Sequence, residues 1–266
     1  MTQFEKDTAL TRLGDGRFGG HIDEAWWVYR GPHGGYVGAI VMRAMVEAVA
    51  NPSRPARSFT IHYLAPPKVG PVEVETTIER SGGAMTSVSA RLIQDGQPMA
   101  LALGAFSKSR DAPEYVDVQM PDVPPPSRVP PMSMEASPPH IRFFEHRQAI
   151  GPAPFSGGDE AISGGWLRLA EPQILDAPLL VEYADGWMPA VFSRTQERVG
   201  VPTVDLSVHF RVPVPMPDAS PDDFVLVIFS SPVARDGFLV EDGQIWSQSG
   251  ELIAESRQLA AMLPIR

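Results

Sequence analysis

The sequence predicts an α+β fold of two tandem units, each wrapping an antiparallel sheet around one long helix. Both halves of the chain contain a helix-periodic apolar stretch followed by short segments with the period of two that strands show. Short segments also recur in the same order in both halves, which is the pattern of an internal duplication. We therefore predict units at residues 1–110 and 140–266, joined by a proline-rich linker over residues 111–139.

The first unit is expected to begin with a glycine-rich turn. Its sequence GDGRFGG, residues 14–20, has the glycine spacing of a dinucleotide-binding loop, but no strong strand precedes it and no helix follows it. We interpret it as a turn that leads into a strand over residues 21–29. Residues 36–50 then show the apolar period of a helix. Four antiparallel strands are predicted after this helix, at residues 57–66, 72–80, 85–94 and 98–107.

The segment between the units contains nine prolines, including Pro124, Pro125 and Pro126. Proline has no N–H to donate to a strand ladder, so this composition argues against a central strand. Large apolar residues are few in the segment as well. We therefore predict an extended linker over residues 111–139.

The second unit carries the stretch that first suggests chemistry. Pro178 opens an apolar, helix-periodic segment that predicts a helix over residues 178–193. Asp185 lies on the flank of its apolar face, between two large aromatic residues. Pro189 cannot donate a hydrogen bond to the carbonyl of Asp185, so a kink is expected there. A solvated surface carboxylate is the alternative interpretation of Asp185.

Strand-like segments surround this predicted helix. They lie at residues 141–147, 166–170, 203–212, 224–231, 237–242, 244–248 and 252–263. The sequence Glu241-Asp242-Gly243 falls between two of them, and we interpret it as a hairpin turn and not as a pair of catalytic acids.

Two local matches support the duplication. FTIHYLAP (residues 59–66) corresponds to LSVHFRVP (residues 206–213), and IQDGQPMA (residues 93–100) corresponds to SQSGELIA (residues 247–254). Each match is weak alone. Because both occur in the same order and at the same place within their units, they favour a duplicated pair of α+β units.

Composition and charge exclude several functions. The chain has 266 residues, a net charge of −10, 43% hydrophobic residues and no cysteine. The acidic balance argues against a nucleic-acid partner, and the missing cysteines exclude disulfides and thiolate chemistry. The six histidines show no metal-ligand spacing, so we expect no metal site. Apolar runs are too short for membrane insertion, and we expect a soluble cytoplasmic protein.

A glycine pair precedes the first helix. Gly34 and Gly35 would place their backbone N–H groups at the helix amino terminus, which is a favourable position for an anion or an oxyanion. A tight turn that needs glycine is the simpler interpretation. Both interpretations stay open at this stage.

Three motifs in the second unit resemble acyl-CoA thioesterases of the thioesterase II type, which have a double hotdog fold. The motifs are EYADGWMPAVF, VPTVDLSVHF and ELIAESRQLAAM. The resemblance covers nearly the whole chain except the linker. It implies a catalytic aspartate at Asp185 and two residues that hold the attacking water, Thr203 and Gln258. It also implies an acyl-CoA substrate, no cofactor and a homo-oligomer.

The two units differ in complementary ways. In the first unit the position equivalent to Asp185 falls near Met42 or Arg43, and Gly104 aligns with Gln258. The second predicted helix opens with Asp176-Ala177-Pro178 and has no glycine pair. We therefore predict a single site, in which the glycines of the first unit face Asp185 of the second.

The resemblance implies hydrolysis of an acyl-CoA thioester by a water that Asp185 activates, with the N–H groups of Gly34 and Gly35 binding the oxyanion. No G-x-S-x-G motif is present for a serine nucleophile. Two alternatives remain. A hotdog hydratase or dehydratase would act on an enoyl thioester, although its usual D-x-N-P-x-H run is missing. A non-catalytic acyl-CoA or lipid-binding protein would keep only the pocket.

Overall fold

A computed structural model describes residues 1–133 and 138–265 of the chain. Among these residues, twelve strands form one sheet in which neighbouring strands pair antiparallel, and two short strands pair separately. The strands are β1 (Thr11–Gly14), β2 (Arg17–Ile22), β3 (Ala56–Tyr63), β4 (Gly70–Ser81), β5 (Met85–Gln94), β6 (Gln97–Ser107), β7 (Phe144–Ile150), β8 (Ile162–Leu169), β9 (Val199–Gly200), β10 (Thr203–Phe210), β11 (Val225–Arg235), β12 (Phe238–Ser247), β13 (Leu252–Ala261) and β14 (Leu263–Pro264). The helices are α1 (Gln3–Asp7), α2 (Gly34–Val49), α3 (Ala177–Tyr183) and α4 (Val191–Arg194), with 3₁₀ turns at Glu24–Trp26, Pro126–Arg128 and Pro139–Phe143.

The strand order of the large sheet is symmetric about its centre. It runs β1-β2-β4-β5-β6-β3 in the first half and β10-β13-β12-β11-β8-β7 in the second. The halves join where β3 pairs with β10, and Thr60 lies opposite Ser207 in that pairing. These two residues occupy the same place in the repeated segments, so an approximate two-fold axis passes between them. The predicted α+β, double hotdog class is confirmed.

The register also fixes which residues of the two halves are equivalent. Phe59 of β3 lies opposite Gly104 of β6, and the corresponding Leu206 of β10 lies opposite Gln258 of β13. Gly104 therefore takes the place of Gln258 in the first half. A Cβ on Gly104 would lie 3.0 Å from the sulfur of Met45, which packs into the space a side chain would need.

Helix α2 packs against strands β2 to β6 of the first half and supplies much of its core. Residues 35–42, Ala44 and Met45 are buried, so the helix is covered nearly all round over its first three turns. The helix begins two residues before the predicted start and ends before Ala50, which adopts the left-handed conformation with φ 45°. Across the described ranges 1–133 and 138–265, none of the helices has both the length and the apolar character that crossing a bilayer demands.

The predicted strand over residues 21–29 is wrong. The strand β2 begins earlier, at Arg17, and pairs with β1 across the turn at Asp15-Gly16. It ends at Ile22 because the Asp23 side chain accepts a hydrogen bond from the Ala25 N–H and starts a 3₁₀ turn. The glycine-rich segment is therefore a hairpin.

The predicted helix over residues 178–193 is shorter than expected. Helix α3 begins after the cap residue Asp176 and ends at Tyr183, and α4 resumes only at Val191. The Asp185 N–H bonds to the Glu182 carbonyl, three residues back, as in the tightened end of a helix. Since Pro189 offers no donor to the Asp185 carbonyl, the chain breaks here where a kink was expected. The break places Asp185 just beyond the end of α3.

The predicted hairpin turn at Glu241-Asp242-Gly243 is also wrong. Strand β12 continues through these residues, and the turn lies earlier, where Asp236 and Gly237 have φ of 54° and 77°. Gly243 is needed for packing, because a Cβ there would lie 2.7 Å from the ring of Phe229. Glu241 is consequently a buried residue in the middle of a strand.

The proline-rich segment packs across the outer face of the second half of the sheet. The Trp166 indole donates to the Pro124 carbonyl at 2.8 Å. The Arg147 guanidinium donates to the carbonyls of Pro126 and Val129, each at 2.8 Å. Val129 is buried against Trp166 and Leu226. Residues 134–137 of the predicted linker lie outside the described residues.

Candidate active site

The amino terminus of α2 meets the end of α3, and this contact joins the two halves of the chain. The Gly35 N–H donates a hydrogen bond to the Asp185 carboxylate, with a distance of 2.8 Å to Oδ2. The Asp185 side chain is 12% exposed. A carboxylate in this position is stabilised by the unpaired N–H groups and the positive end of the helix dipole.

The glycine pair permits this close approach. A Cβ on Gly34 would lie 2.8 Å from Asp185 Oδ2, and a Cβ on Gly35 would lie 2.8 Å from the Glu182 carbonyl oxygen. The Gly34 carbonyl accepts a hydrogen bond of 2.7 Å from the Tyr63 hydroxyl, which fixes the helix start. Gly35 thus orients Asp185, while the expected oxyanion role of the pair stays a prediction.

His33 and Glu182 complete a buried charged cluster that the sequence analysis did not identify. His33 Nε2 lies 3.0 Å from the Asp185 carbonyl oxygen and 3.4 Å from Asp185 Oδ2. His33 Nδ1 lies 2.8 Å from Glu182 Oε1, which is an ion-pair distance. The only sequence signals are that His33 directly precedes the glycine pair and that Glu182 lies one helical turn before Asp185.

The charges in this cluster favour a protonated His33. Burial opposes the charged imidazolium, but the carboxylates of Glu182 and Asp185 outweigh it and raise the pKa of His33 to about 9. Burial raises the pKa of Glu182, and the charge of His33 opposes that shift. At neutral pH the cluster therefore holds a protonated His33 between the carboxyl groups of Glu182 and Asp185.

Asp185 is under opposing influences. Burial raises the pKa of its carboxyl, while the charge of His33, the Gly35 N–H and the Gln258 amide each lower it. A carboxylate with a raised pKa is a better proton acceptor than a solvated one. The interpretation of Asp185 as a solvated surface residue is wrong, because the side chain is mostly buried.

Gln258 and Thr203 approach Asp185 from the sheet. The Thr203 hydroxyl donates to Gln258 Oε1 at 2.9 Å. Gln258 is buried, and its amide lies near enough to Asp185 to lower the pKa of that carboxyl. The structure therefore brings together all five predicted site residues, Asp185, Thr203, Gln258, Gly34 and Gly35.

A third buried carboxyl group, that of Glu241, belongs to the same network. Its Oε1 accepts a hydrogen bond from Gln258 Nε2 at 2.8 Å, and its Oε2 accepts one from the Ala190 N–H at 2.5 Å. Burial raises the pKa of Glu241 to about 7, although both of these hydrogen bonds lower it. The sequence pattern around Glu241 indicates a turn, so it gives no sign that this residue lies in the site.

Two further buried histidines lie near His33. His140 stacks on the His33 ring with centroids 4.6 Å apart, and burial lowers its pKa to about 2. His146 Nε2 lies 3.0 Å from the Gly186 carbonyl oxygen, and burial lowers its pKa to about 4. Both are therefore neutral near pH 7. Within residues 1–133 and 138–265, no three His, Asp or Glu side chains are arranged to hold a metal ion.

Comparisons with known families agree with this architecture. The family model described as the acyl-CoA thioesterase N-terminal domain matches residues 23–107. The model described as the acyl-CoA thioesterase C-terminal domain matches residues 119–262. The two matches together cover most of the chain. No curated protein matches it.

Solved structures share the fold over the whole chain. A conserved protein of unknown function with a hotdog fold from Alicyclobacillus acidocaldarius is 26% identical, covers 100% of both chains and has a TM-score of 0.91. An acyl-CoA thioesterase II from Mycobacterium marinum is 21% identical, covers 98% of both chains and has a TM-score of 0.80. Both comparisons support the double hotdog architecture.

Proposed function

This chain belongs to the acyl-CoA thioesterase family and is a thioester hydrolase, and we propose that it cleaves acyl-CoA by means of a water that Asp185 activates. The observation that carries the proposal is the position of the Asp185 carboxylate. It is buried at the amino terminus of α2, held by the Gly35 N–H, and adjacent to the Gln258 amide. The products are a free acid and CoA.

In the proposed reaction, Asp185 removes a proton from water as the water oxygen attacks the thioester carbonyl carbon. The carbonyl oxygen of the resulting tetrahedral intermediate carries the negative charge. Collapse of the intermediate breaks the carbon–sulfur bond, and the CoA thiolate receives the proton that Asp185 holds. Burial raises the pKa of the Asp185 carboxyl, and the charge of His33 beside it opposes that shift and favours the ionised form.

The remaining groups orient the reactants. Gln258 and Thr203 hold the water by hydrogen bonds, which supplies position more than reactivity. The N–H of Gly35 is used by Asp185, so it contributes by fixing the base. Gly34, whose N–H makes no hydrogen bond within the described residues, is the glycine we propose as an oxyanion donor.

The direct experiment replaces Asp185 by Asn and measures thiol release across a series of acyl-CoA chain lengths. We expect the turnover of D185N to fall at least about 100-fold with little change in folding, because the amide keeps the shape but accepts a proton poorly. Asp222→Asn is a matched control, since the Asp222 side chain is 72% exposed and paired with Arg168. Activity of D185N equal to that of the unmodified protein would remove Asp185 from the mechanism.

The same assay separates the alternative functions. A hydratase would consume the enoyl absorbance of an enoyl-CoA without releasing thiol. A binding protein would do neither, although it would retain affinity for acyl-CoA. Release of free CoA in proportion to free acid is the result that the proposed hydrolysis requires.

A further inference from the structure

We propose that Glu241 is a positioning residue, which orients the Gln258 amide and through it the attacking water. This inference rests on the proposed function, because it assigns a role within the same site. Glu241 lies in β12 directly opposite Gln258 in β13, so both side chains project from the same face of the sheet. This face of the sheet is the buried one, because Leu206, which lies opposite Gln258 in β10, is also buried.

The hydrogen bonds around Gln258 have a defined direction. When Glu241 is ionised, its carboxylate can only accept hydrogen bonds, so the Gln258 group that faces it is then the NH₂. The Gln258 carbonyl oxygen then faces Thr203, whose hydroxyl donates to it. The second hydrogen of Nε2 remains available for Asp185 or for its water. Without Glu241, the amide could rotate by 180° and present its oxygen to that water.

Glu241 is itself held by a specific donor. The Ala190 N–H bonds to Oε2, and Ala190 follows the Pro189 break that also places Asp185 at the end of α3. The same local distortion therefore positions the proposed base and fixes the carboxylate behind Gln258. Two hydrogen bonds to one buried carboxylate offset part of its desolvation cost.

Comparison of the two halves supports a functional origin for this carboxylate. The residue opposite Gly104 in the first half is Val88, just as Glu241 is opposite Gln258 in the second. Val88 is completely buried, so an apolar side chain fills this position well. The first half has glycine in place of Gln258 and an apolar residue in place of Glu241. The second half has both polar residues, although burying the Glu241 carboxyl costs desolvation free energy. Glu241 is therefore explained by Gln258 and not by packing.

The experiment is a double-mutant cycle on kcat with Glu241→Gln and Gln258→Ala. In E241Q the new amide cannot accept from both the Ala190 N–H and Gln258 Nε2, so the orientation of Gln258 is no longer fixed. We expect kcat to fall between about 10- and 100-fold while KM changes less than about twofold. The double variant should have the kcat of Q258A alone, because Glu241 acts only through Gln258.

Glu255→Gln is the matched control. Glu255 lies in β13, the strand next to that of Glu241, and its side chain is 42% exposed and paired with Arg211. We expect its kcat to be unchanged. Independent effects of E241Q and Q258A, which multiply in the double variant, would overturn the proposal. The D185N variant tests the proposed function separately. If D185N loses activity while the kcat effects of E241Q and Q258A multiply in the double variant, the proposed function stands and only the role of Glu241 is rejected.

A second measurement avoids any variant of Glu241. The side-chain ¹⁵N resonance of Gln258 can be followed with pH in D185N, where Asp185 no longer titrates. The pKa of Glu241 is about 7 in the unmodified protein, and the charge of Asp185 is one of the influences that raise it, so we expect the resonance to titrate with a midpoint at or below 7 in D185N. Among the other titrating groups near the site, His33, His146 and His140 have pKa values of about 9, about 4 and about 2 in the unmodified protein. Glu182, whose pKa burial raises, faces His33. A Gln258 resonance that does not move anywhere between pH 5 and 8 would contradict the proposal, even if E241Q failed to fold.

Discussion

Gly35 and Asp185 are joined by a hydrogen bond of 2.8 Å, although 150 residues separate them in the chain. Gly35 comes from the helix of the first half, and Asp185 comes from the broken helix of the second. The site therefore exists only when both halves are folded against each other. Neither half contains both the glycine-led helix start and the carboxylate.

Replacing Gly35 by Ala should destabilise the protein and reduce its activity. The added Cβ would lie 2.8 Å from both the carbonyl oxygen and the Oε2 of Glu182, so α2 and α3 would have to move apart. Overpacking of this kind costs about 1–3 kcal/mol in the free energy of unfolding. Urea unfolding of G35A and of the unmodified protein measures this loss in the free energy of unfolding.

Gly83→Ala is the control for this change. Gly83 lies in an exposed turn, and a Cβ there would meet no atom within 4 Å. We expect its free energy of unfolding to match that of the unmodified protein. Equal stabilities of G35A and G83A would mean that the close helix contact does not need glycine.

Stability should fall as the pH rises from about 6.5 to about 9. The pKa of His33 is raised from 6.5 to about 9 in the folded protein, so its stabilising contribution is complete below 6.5 and lost above 9. The loss is on the order of 3 kcal/mol, since a tenfold change in proton affinity corresponds to about 1.4 kcal/mol. Urea unfolding at pH 6.5 and pH 9 measures the difference.

His33→Asn should remove most of this pH dependence, because it removes the group that binds the proton. His62→Asn is the control, since His62 is an exposed histidine on the outer face of the sheet. We expect H62N to keep the dependence of the unmodified protein. If the free energy of unfolding of H33N still falls between pH 6.5 and pH 9, a group other than His33 is responsible.

Thr203→Val should lower kcat and leave KM nearly unchanged. The substitution keeps the shape of the side chain but removes the hydroxyl that donates to Gln258 Oε1 at 2.9 Å. We expect a loss of about tenfold, because the amide then loses one of its two direct partners. Thiol release at saturating acyl-CoA measures kcat, and Thr77→Val on an exposed strand position is the control. Equal kcat values for the two variants would exclude Thr203 from the site.

Arg147→Met should loosen the proline-rich segment. Two carbonyl oxygens of that segment, those of Pro126 and Val129, accept hydrogen bonds from the Arg147 guanidinium. Hydrogen bonds to a charged group contribute about 1.5–3 kcal/mol each, so their loss should expose the segment more often. We expect thermolysin to cleave within residues 111–133 several-fold faster in R147M.

Arg257→Met is the reference for the proteolysis experiment. Arg257 is an exposed arginine whose guanidinium pairs with Asp242 and is remote in sequence from the proline-rich segment. We expect the cleavage rate of R257M to be unchanged. Faster cleavage of both variants would indicate general destabilisation.

Local patterns were enough to predict the regular elements. Strand β5 was predicted at residues 85–94 and is found at Met85–Gln94, because alternation of buried and exposed residues is visible in the sequence itself. The ends of α3 and the continuity of β12 could not be predicted in this way. Gly243 has the composition of a turn, but its role depends on the ring of Phe229 from a neighbouring strand.

The amino-acid sequence by itself determined the duplication, the helix and sheet in each half, and the opposite losses that leave one glycine pair facing one aspartate. Only the tertiary structure decided that His33, Glu182 and Glu241 belong to the site. The physical reason is that a sequence shows which residues can carry charge but not which are desolvated. Burial and hydrogen-bond partners depend on contacts between distant segments, such as Asp185 with His33 and Gln258 with Glu241.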